Sequence, residues 1–238
     1  RAVQRVASRG ILLVAAAGNS FGQNNDEDPS YPANTDSDNV ISVAASTSSG
    51  VLASFSNYGP KTVDLAAPGS SILSTVPFDL KGVRYEEIDG TSMAAPHVSG
   101  VVALVAAANP RANASLIKSI ILATVTPRSK LASKMVSGGI VNAHSAVAIA
   151  VASKKMYRIT GTVQLGNRGL SKVVVMLQLS SGVSYRRRAT TSATGRFSFS
   201  NVPAGTYTVT PSRTGFKFTV QSRRVALTAN KKVSFTAR

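Results

Sequence analysis

Two periodicities divide the chain. Ile11 to Ala17 is an unbroken apolar run between Gly10 and Gly18. A run without polar alternation reads as a strand buried on both faces, the kind found in parallel sheets covered by helices. Val40 to Ala45 repeats the pattern and Thr62 to Ala66 repeats it more weakly. Ser92 to Ala108 reads as a helix of small apolar residues. Ser115 to Ala123 reads as a second, opened by Asn113 or Ser115, and Asn142 to Ala152 as a third with an Asn cap. Ala2, Val3, Val6, Ala7 and Ile11 look like the apolar face of a helix already under way at Arg1. Between the first two strands lies Ser20 to Asp38, rich in Asn, Asp, Ser and Gly. It reads as a long surface loop, and loops of that length are usually functional. Buried strands alternating with helices predict an α/β layered fold.

From Met156 onward the period drops to two. Arg158 to Val163, Val173 to Leu179, Arg196 to Phe199, Thr206 to Val209 and Lys232 to Phe235 all alternate, punctuated at Gly166-Asn167, Ser181-Gly182, Gly195, Pro203-Ala204-Gly205 and Gly215. About seven short strands at regular spacing predict an antiparallel β-sandwich. The domains expected are therefore residues 1–152 and 153–238.

Composition sharpens that division. Residues 1–152 hold 11 Lys/Arg and 10 Asp/Glu, a net +1, whereas residues 153–238 hold 16 Lys/Arg and no acid, a net +16. Arg186-Arg187-Arg188 and Arg223-Arg224 run along strands with side chains on both faces. Such a domain reads as an electrostatic tether to a polyanion (cell wall, polysaccharide or, in passing, nucleic acid), set against a plain soluble spacer. No aromatic interleaving marks a stacking platform, so specific nucleic-acid binding is not expected. The absence of cysteine excludes a disulfide scaffold, a thiolate zinc site and a cysteine nucleophile. The longest uncharged run, Gly90 to Pro110, is interrupted by Pro96, His97, Ser99, Gly100 and Asn109. Its purely apolar part, Val101 to Ala108, falls far short of the ~20 residues of a membrane span, so a buried core helix is expected. The opening segment does not read as a signal peptide, because Ile11 to Ala17 runs straight into Gly18-Asn19.

The chemistry concentrates in Asp89-Gly90-Thr91-Ser92-Met93-Ala94-Ala95-Pro96-His97-Val98. Here a serine opens a helix behind a glycine. The glycine lets a substrate backbone approach. The helix N-terminus offers unpaired N–H groups and a positive dipole end to a developing oxyanion. Pro96 falls near the first turn, where a missing N–H costs little. A bare Gly-x-Ser would read as an ordinary N-cap serine; the ten residues together do not.

Those ten residues resemble the active-serine motif of the subtilisin-like serine proteases, the subtilases. Val14-Ala15-Ala16-Ala17-Gly18-Asn19 resembles the strand end that delivers the family's oxyanion-hole asparagine. Tyr31-Pro32-Ala33, Val40 to Val43, Phe55 to Gly59, Asp64 to Gly69 and Gly138 to Ala143 resemble further family segments in the expected order. The resemblance covers about residues 1–152 and implies a partial subtilisin-like parallel sheet with flanking helices. It also implies a serine endopeptidase acting outside the cell on protein or peptide substrates. Thr194 to Phe199 followed by Val202 to Val209 resembles the repeat hallmark of carboxypeptidase-regulatory-like or Cna-B-like modules.

Carried over, Ser92 is the nucleophile. Asn19 gives its side-chain amide to the tetrahedral oxyanion beside the Ser92 backbone N–H. Ala16, Ala17 and Gly18 line one wall of the pocket for the residue before the scissile bond, and Gly90 lies near substrate backbone. The family's Asp and His precede the oxyanion asparagine, and neither motif is in this sequence. His97 stands five residues after Ser92, roughly 140° around the helix, and cannot take its proton. It is expected to be a packed helix residue, and His144 to cap or solvate the last helix. A serine without a base is a poor nucleophile, so the chain by itself is expected to be inactive. The alternative is a catalytically silent relative that serves as a polyanion or cell-surface binding module. No cofactor is expected. The acid-rich loop, with Asp26-Glu27-Asp28, Asp36 and Asp38, is a candidate for calcium, and the resemblance implies a cation around Pro32 and Asp64 in some family members; both are set against simple solvation of an acidic loop.

Overall fold

The uninterrupted apolar runs form the middle of a parallel sheet, as their lack of alternation requires. The computed structural model describes residues 1–77, 82, 84–153, 155–180 and 183–238 and divides into two units, Arg1–Val147 and Ala148–Arg238. In the first unit, α1 (Ala2–Ala7) leads to β1 (Leu13–Ala16), β2 (Val40–Ser46) and β3 (Leu65–Pro68). All seven residues of β2 are buried, which is why nothing in that run needs to be polar. A hairpin of β4 (Ile72–Thr75) and β5 (Tyr85–Ile88) follows, then α2 (Thr91–Ala108), α3 (Ala114–Ala123), β6 (Thr126–Pro127), a 3₁₀ turn at Ser129–Leu131, β7 (Gly139–Ile140) and α4 (Ala143–Ala152). The sheet order is β1-β2-β3-β7-β6. Its pairs are parallel except β6 with β7. Asn113 caps α3 by accepting from Leu116 N at 2.9 Å, and Asn142 caps α4 by accepting from Ser145 N at 2.8 Å.

Helix α2 packs on β1, β2 and β3 through Thr91, Ala94, Val98, Val101 and Val105. The helix expected to be a buried core helix is buried along one stripe only. By length and composition α2 could cross a membrane, but only 28% of it is buried. Ser92, Pro96, His97, Gly100 and Leu104 face outward. The helix covers one sheet face, so one stripe suffices to anchor it, while its other side is apolar without a covering layer among the described residues. The β4–β5 hairpin was not foreseen. It exposes Leu73, Tyr85 and Ile88, so no buried face imposes an alternation on its sequence.

In the second unit, β8 (Met156–Leu165), β9 (Arg168–Gly169), β10 (Val174–Leu179), β11 (Arg186–Thr190), β12 (Arg196–Pro203), β13 (Gly205–Ser212), β14 (Arg223–Leu227) and β15 (Lys231–Ala237) build two sheets. One runs β11-β10-β13-β14 and the other β12-β8-β15, with β9 beside β8. All pairs are antiparallel except β8 with β15. Val175, Leu177, Tyr207 and Val209 from the first sheet and Ile159, Val163, Phe197, Phe199 and Phe235 from the second are buried. This is the inward half of the period-two pattern. Tyr207 reaches Pro203 O with its hydroxyl at 2.9 Å, and burial holds that phenol protonated well above its ordinary range. The turn expected at Ser181-Gly182 lies outside the described residues.

One charge pair sits at the parallel sheet. Asp64 enters β3 and accepts Ser42 N at 2.9 Å, and Lys118 on α3 approaches its carboxylate at 3.3 Å while donating to Val40 O. Burial pushes the Asp64 carboxyl above its ordinary value, against the opposing pull of the Lys118 ammonium and the Ser42 N–H. Folding thus raises this pKa. Its stabilising contribution is present below the unfolded carboxylate value and is lost as pH climbs through the raised one. Lys118→Met should raise the Asp64 pKa further, extend that loss to higher pH and cost about 3 kcal/mol at neutral pH. Asp64→Asn should remove the slope. Urea unfolding across a pH series reads both, and an unaltered pH profile in Asp64→Asn would refute the assignment.

Candidate active site

Strand β1 ends at the carboxyl edge of the sheet, where open α/β sheets present their ligand crevices. Ala17 N continues the ladder to Val43 O at 2.9 Å, and the chain then turns through Gly18, Asn19 and Ser20. Gly18 has φ 113°, and a Cβ there would lie 2.6 Å from Asn57 Nδ2, so only glycine fits both the conformation and the space. The turn is gripped from below by two buried asparagines. Asn57 accepts Ser20 N at 2.7 Å and takes Gly18 O through its own N–H at 2.9 Å. Its Nδ2 donates to Asn25 Oδ1 at 3.0 Å, and Asn25 Nδ2 donates to Ala17 O at 2.8 Å. Residues 17, 18 and 20 are all tied, leaving Asn19 presented at the apex.

The first turn of α2 meets that apex. Gly90 is the N-cap, with φ 156° and ψ 154°, so Thr91 and Ser92 are the first two helical residues and Ser92 is not a capping serine. Thr91 N and Thr91 Oγ1 both donate to Asn19 Oδ1, at 2.9 and 2.8 Å, and Thr91 Oγ1 accepts Gly18 N at 3.2 Å. A backbone N–H can only donate, so the Asn19 oxygen must face Thr91 and the Asn19 Nδ2 must face away. A Cβ built on Gly90 would lie 3.5 Å from Asn19 Nδ2 and 3.6 Å from Ser92 N. Two N–H donors thus flank one small space, kept open because residue 90 has no side chain. Helix geometry gives Ser92 N no intrahelical acceptor. Neither that N–H nor the Ser92 hydroxyl has a partner among the described residues. Both Ser92 and Asn19 are solvent-exposed.

The other expected site residues scatter. Ala16 and Gly18 are half-buried. The methyl of Ala17 is fully buried among Ala44, Val63, Ala66, Leu131 and Met135, so only its backbone is left to contribute to a pocket wall. Strand alternation sends its side chain to the face opposite those of its neighbours. His97 is corrected. It is exposed rather than packed, with Nδ1 at 2.9 Å from Met93 O, because its stripe of α2 lies off the sheet. Pro96 falls in the second helical turn, not the first, so Ser92 O lacks its usual helical donor. His144 is exposed at the start of α4.

Two acids of the long loop accept hydrogen bonds from the protein itself. Asp26 accepts Lys61 N at 3.1 Å and the Thr62 hydroxyl at 2.7 Å, and Glu27 accepts Asn24 Nδ2 at 2.8 Å. Sequence reasoning missed Thr91, Asn25 and Asn57. Thr91 stood inside the recognised motif, whereas Asn25 and Asn57 sat in polar segments where nothing in the pattern marks a buried amide.

Residues 1–144 match the subtilase family and residues 158–238 match the carboxypeptidase regulatory-like domain. The chain is 42% identical over 154 residues to the extracellular protease of Xanthomonas campestris pv. campestris, covering 63% of this chain and 26% of that protein. It is 40% identical over 126 residues to subtilisin DY of Bacillus licheniformis, covering 53% and 43%. The chain therefore spans between about a quarter and under half of these relatives' length. Fervidolysin from Fervidobacterium pennivorans, a keratinolytic enzyme related to subtilisin, matches with a TM-score of 0.54 over 98% of this chain and 41% of its own. At 24% identity that likeness is one of fold.

The asparagine pair makes a direct prediction. Asn57→Ala strips the Ser20 N–H of its acceptor and leaves Asn25 half-satisfied in a buried site, a loss of about 2 kcal/mol. The thermal midpoint of the first unit should fall by about 4–8 °C, read by circular dichroism on the chain. An unchanged midpoint would mean that the turn holds without the pair.

Proposed function

The chain belongs to the subtilase family through residues 1–144, and from that membership we propose that it carries the nucleophile and oxyanion donors of a serine endopeptidase. The observation that supports this most strongly is the pair of unpaired donors, Asn19 Nδ2 and Ser92 N, around the space left by Gly90. In this reading Ser92 Oγ attacks the carbonyl carbon of a peptide bond. The carbonyl oxygen becomes an oxyanion that accepts from Asn19 Nδ2 and Ser92 N, donors already in place before the charge develops. The amine leaves with a proton, and water releases the acyl group from Ser92 in the second half-reaction. Thr91 holds the Asn19 carboxamide, while Ala16, Gly18 and Gly90 border the substrate backbone.

The Ser92 proton needs an acceptor that the described residues do not provide. His97 is turned away around α2 and His144 lies on another helix. The family's Asp and His, absent from this sequence, are the groups that fill this role. The outward stripe of α2 beyond Ser92, through Pro96, Gly100 and Leu104, is an apolar seat for the structure bearing them. The protein acts outside the cell on protein or peptide substrates, in keeping with a relative named as an extracellular protease. The acid-free second unit serves as an electrostatic tether to an acidic polymer. The competing reading, a catalytically silent binding protein, rests on the same missing base.

A fluorophosphonate probe separates the two readings. The 238-residue chain should stay unlabelled. The protein that joins it to a family Asp- and His-bearing segment should label at Ser92 and lose labelling in Ser92→Ala. Asn19→Ala in that protein should lower kcat by about 10²–10³-fold with little change in KM, a figure that comes from subtilisin itself. Rapid labelling of the chain alone would overturn the account of the missing base. An unlabelled joined protein would favour the silent reading.

A further inference from the structure

The cations of the second unit divide into two kinds. Arg187 lies opposite buried Leu177 in the β10–β11 register, so its side chain starts on the core side. It donates to Ser200 O and lies 5.9 Å from the Phe199 ring. Arg223, opposite buried Val209, donates through Nε to Ser234 O at 3.1 Å and lies 5.9 Å from the Phe235 ring. These two guanidinium groups lace the opposite edges of the sandwich. Arg186 and Arg188 point the other way, onto the flat outer face of their sheet.

Arg224, Lys231 and Lys232 gather with Arg223 at one edge. Strand β14 ends one sheet and β15 ends the other, and between them opens a cleft of about 710 Å³. These four residues line it together with Ser222 and Ser234. By the strand registers Arg223 and Lys231 start on the inward side, while Arg224, opposite Thr208, and Lys232, on the same side as Ser234, start on the outer faces and flank its mouth. The same edge of β15 is covered further along, where Lys217 pairs with Arg238 in both directions and Thr219 N donates to Thr236 O at 2.9 Å. Arg223 takes the next outward carbonyl, Ser234 O. Residues 234, 236 and 238 therefore turn their backbone to this edge, and the period of two turns the Lys232 N–H the same way, into the cleft.

We propose that this cleft is an anion site that receives the carboxylate or sulfate groups of an acidic polysaccharide lying along the sandwich edge. The proposal rests on the tether reading above and gives it a location. The domain has no acid to offset the four cations, so their mutual repulsion persists until an outside anion relieves it. The Ser222 hydroxyl and the Lys232 N–H supply hydrogen bonds suited to sugar oxygens. No Phe or Tyr lines the cleft, so it lacks the stacking surface a single-stranded nucleic acid uses. A recess between two sheet edges also presents no helix or ribbon to a duplex major groove.

The test uses the whole 238-residue chain with dextran sulfate, polygalacturonate, neutral dextran and poly(dT). Two double variants remove equal charge: Arg224→Ser with Lys232→Ser at the rims of the cleft, and Arg186→Ser with Arg188→Ser on the flat face. Arg223 stays, because it laces the fold. The expected result is binding to one or both acidic glycans and none to dextran. The cleft variant should lose about tenfold or more and flatten the salt dependence by about two, and the flat-face variant should lose under about threefold. Bound dextran sulfate should also raise the thermal midpoint of the parent chain and not that of the cleft variant. Equal losses in both variants overturn the cleft while leaving the tether reading intact. No binding of the parent chain at low salt overturns both. Tighter binding of poly(dT) than of either glycan overturns the polysaccharide in favour of a nucleic acid.

Discussion

The grip of Thr91 on the Asn19 carboxamide is the constraint on which the site depends. Two donors from one residue saturate the Asn19 oxygen, and only that saturation fixes the opposite end of the amide as a directed N–H. The same threonine hydroxyl accepts Gly18 N, so the end of β1 and the start of α2 are joined at the place where the free donors emerge. Preorganisation of this kind matters because a donor that must first reorient gives back part of what it contributes to a transition state. Support for the geometry runs downward through Asn57 and Asn25 to the carbonyl of Ala17. Polar side chains buried that deeply are tolerated only because their hydrogen bonds are made.

The two units meet their electrostatic problem differently. The first keeps near charge balance and buries one carboxylate, Asp64, beside one ammonium, Lys118. The second has cations only. It uses Arg187 and Arg223 as structural donors to backbone carbonyls and as covers for phenylalanine rings, which lets guanidinium groups lie against apolar surface without an acid partner. Arg213 does the same, donating to Ser171 O at 2.5 Å and lying 4.7 Å from the Phe216 ring, whereas Arg186 and Arg188 stay in water on the outer face, where charge is least costly. Net charge of this size bears on partners, while the sandwich itself follows from alternation.

The sheet, the three long helices and the sandwich strands were legible because each buries a face large enough to impose a period. Val40 to Ser46 and the Phe197/Phe199 pair are the plainest cases. The β4–β5 hairpin left no such imprint, since Leu73 and Tyr85 face water. Ser92 and Asn19 could be named from family motifs, but Asn25 and Asn57 could not. A buried amide and a solvated one are the same letter in a polar segment, and only the crossing of distant segments tells them apart.

Local pattern alone determined that there are two kinds of layer here, a helix-covered parallel sheet and a β-sandwich, and that a serine opens a helix after a glycine. Those properties depend on neighbours within a few residues, where sterics and burial act directly on the chain. Tertiary structure decided that Ala17 faces the core, that one side of α2 has no cover among the described residues, and that Thr91, from 72 residues away, aims the Asn19 amide. It also decided which arginines lace the sandwich and which remain free. These depend on strand register and on contacts between segments far apart in sequence, which no short-range period encodes.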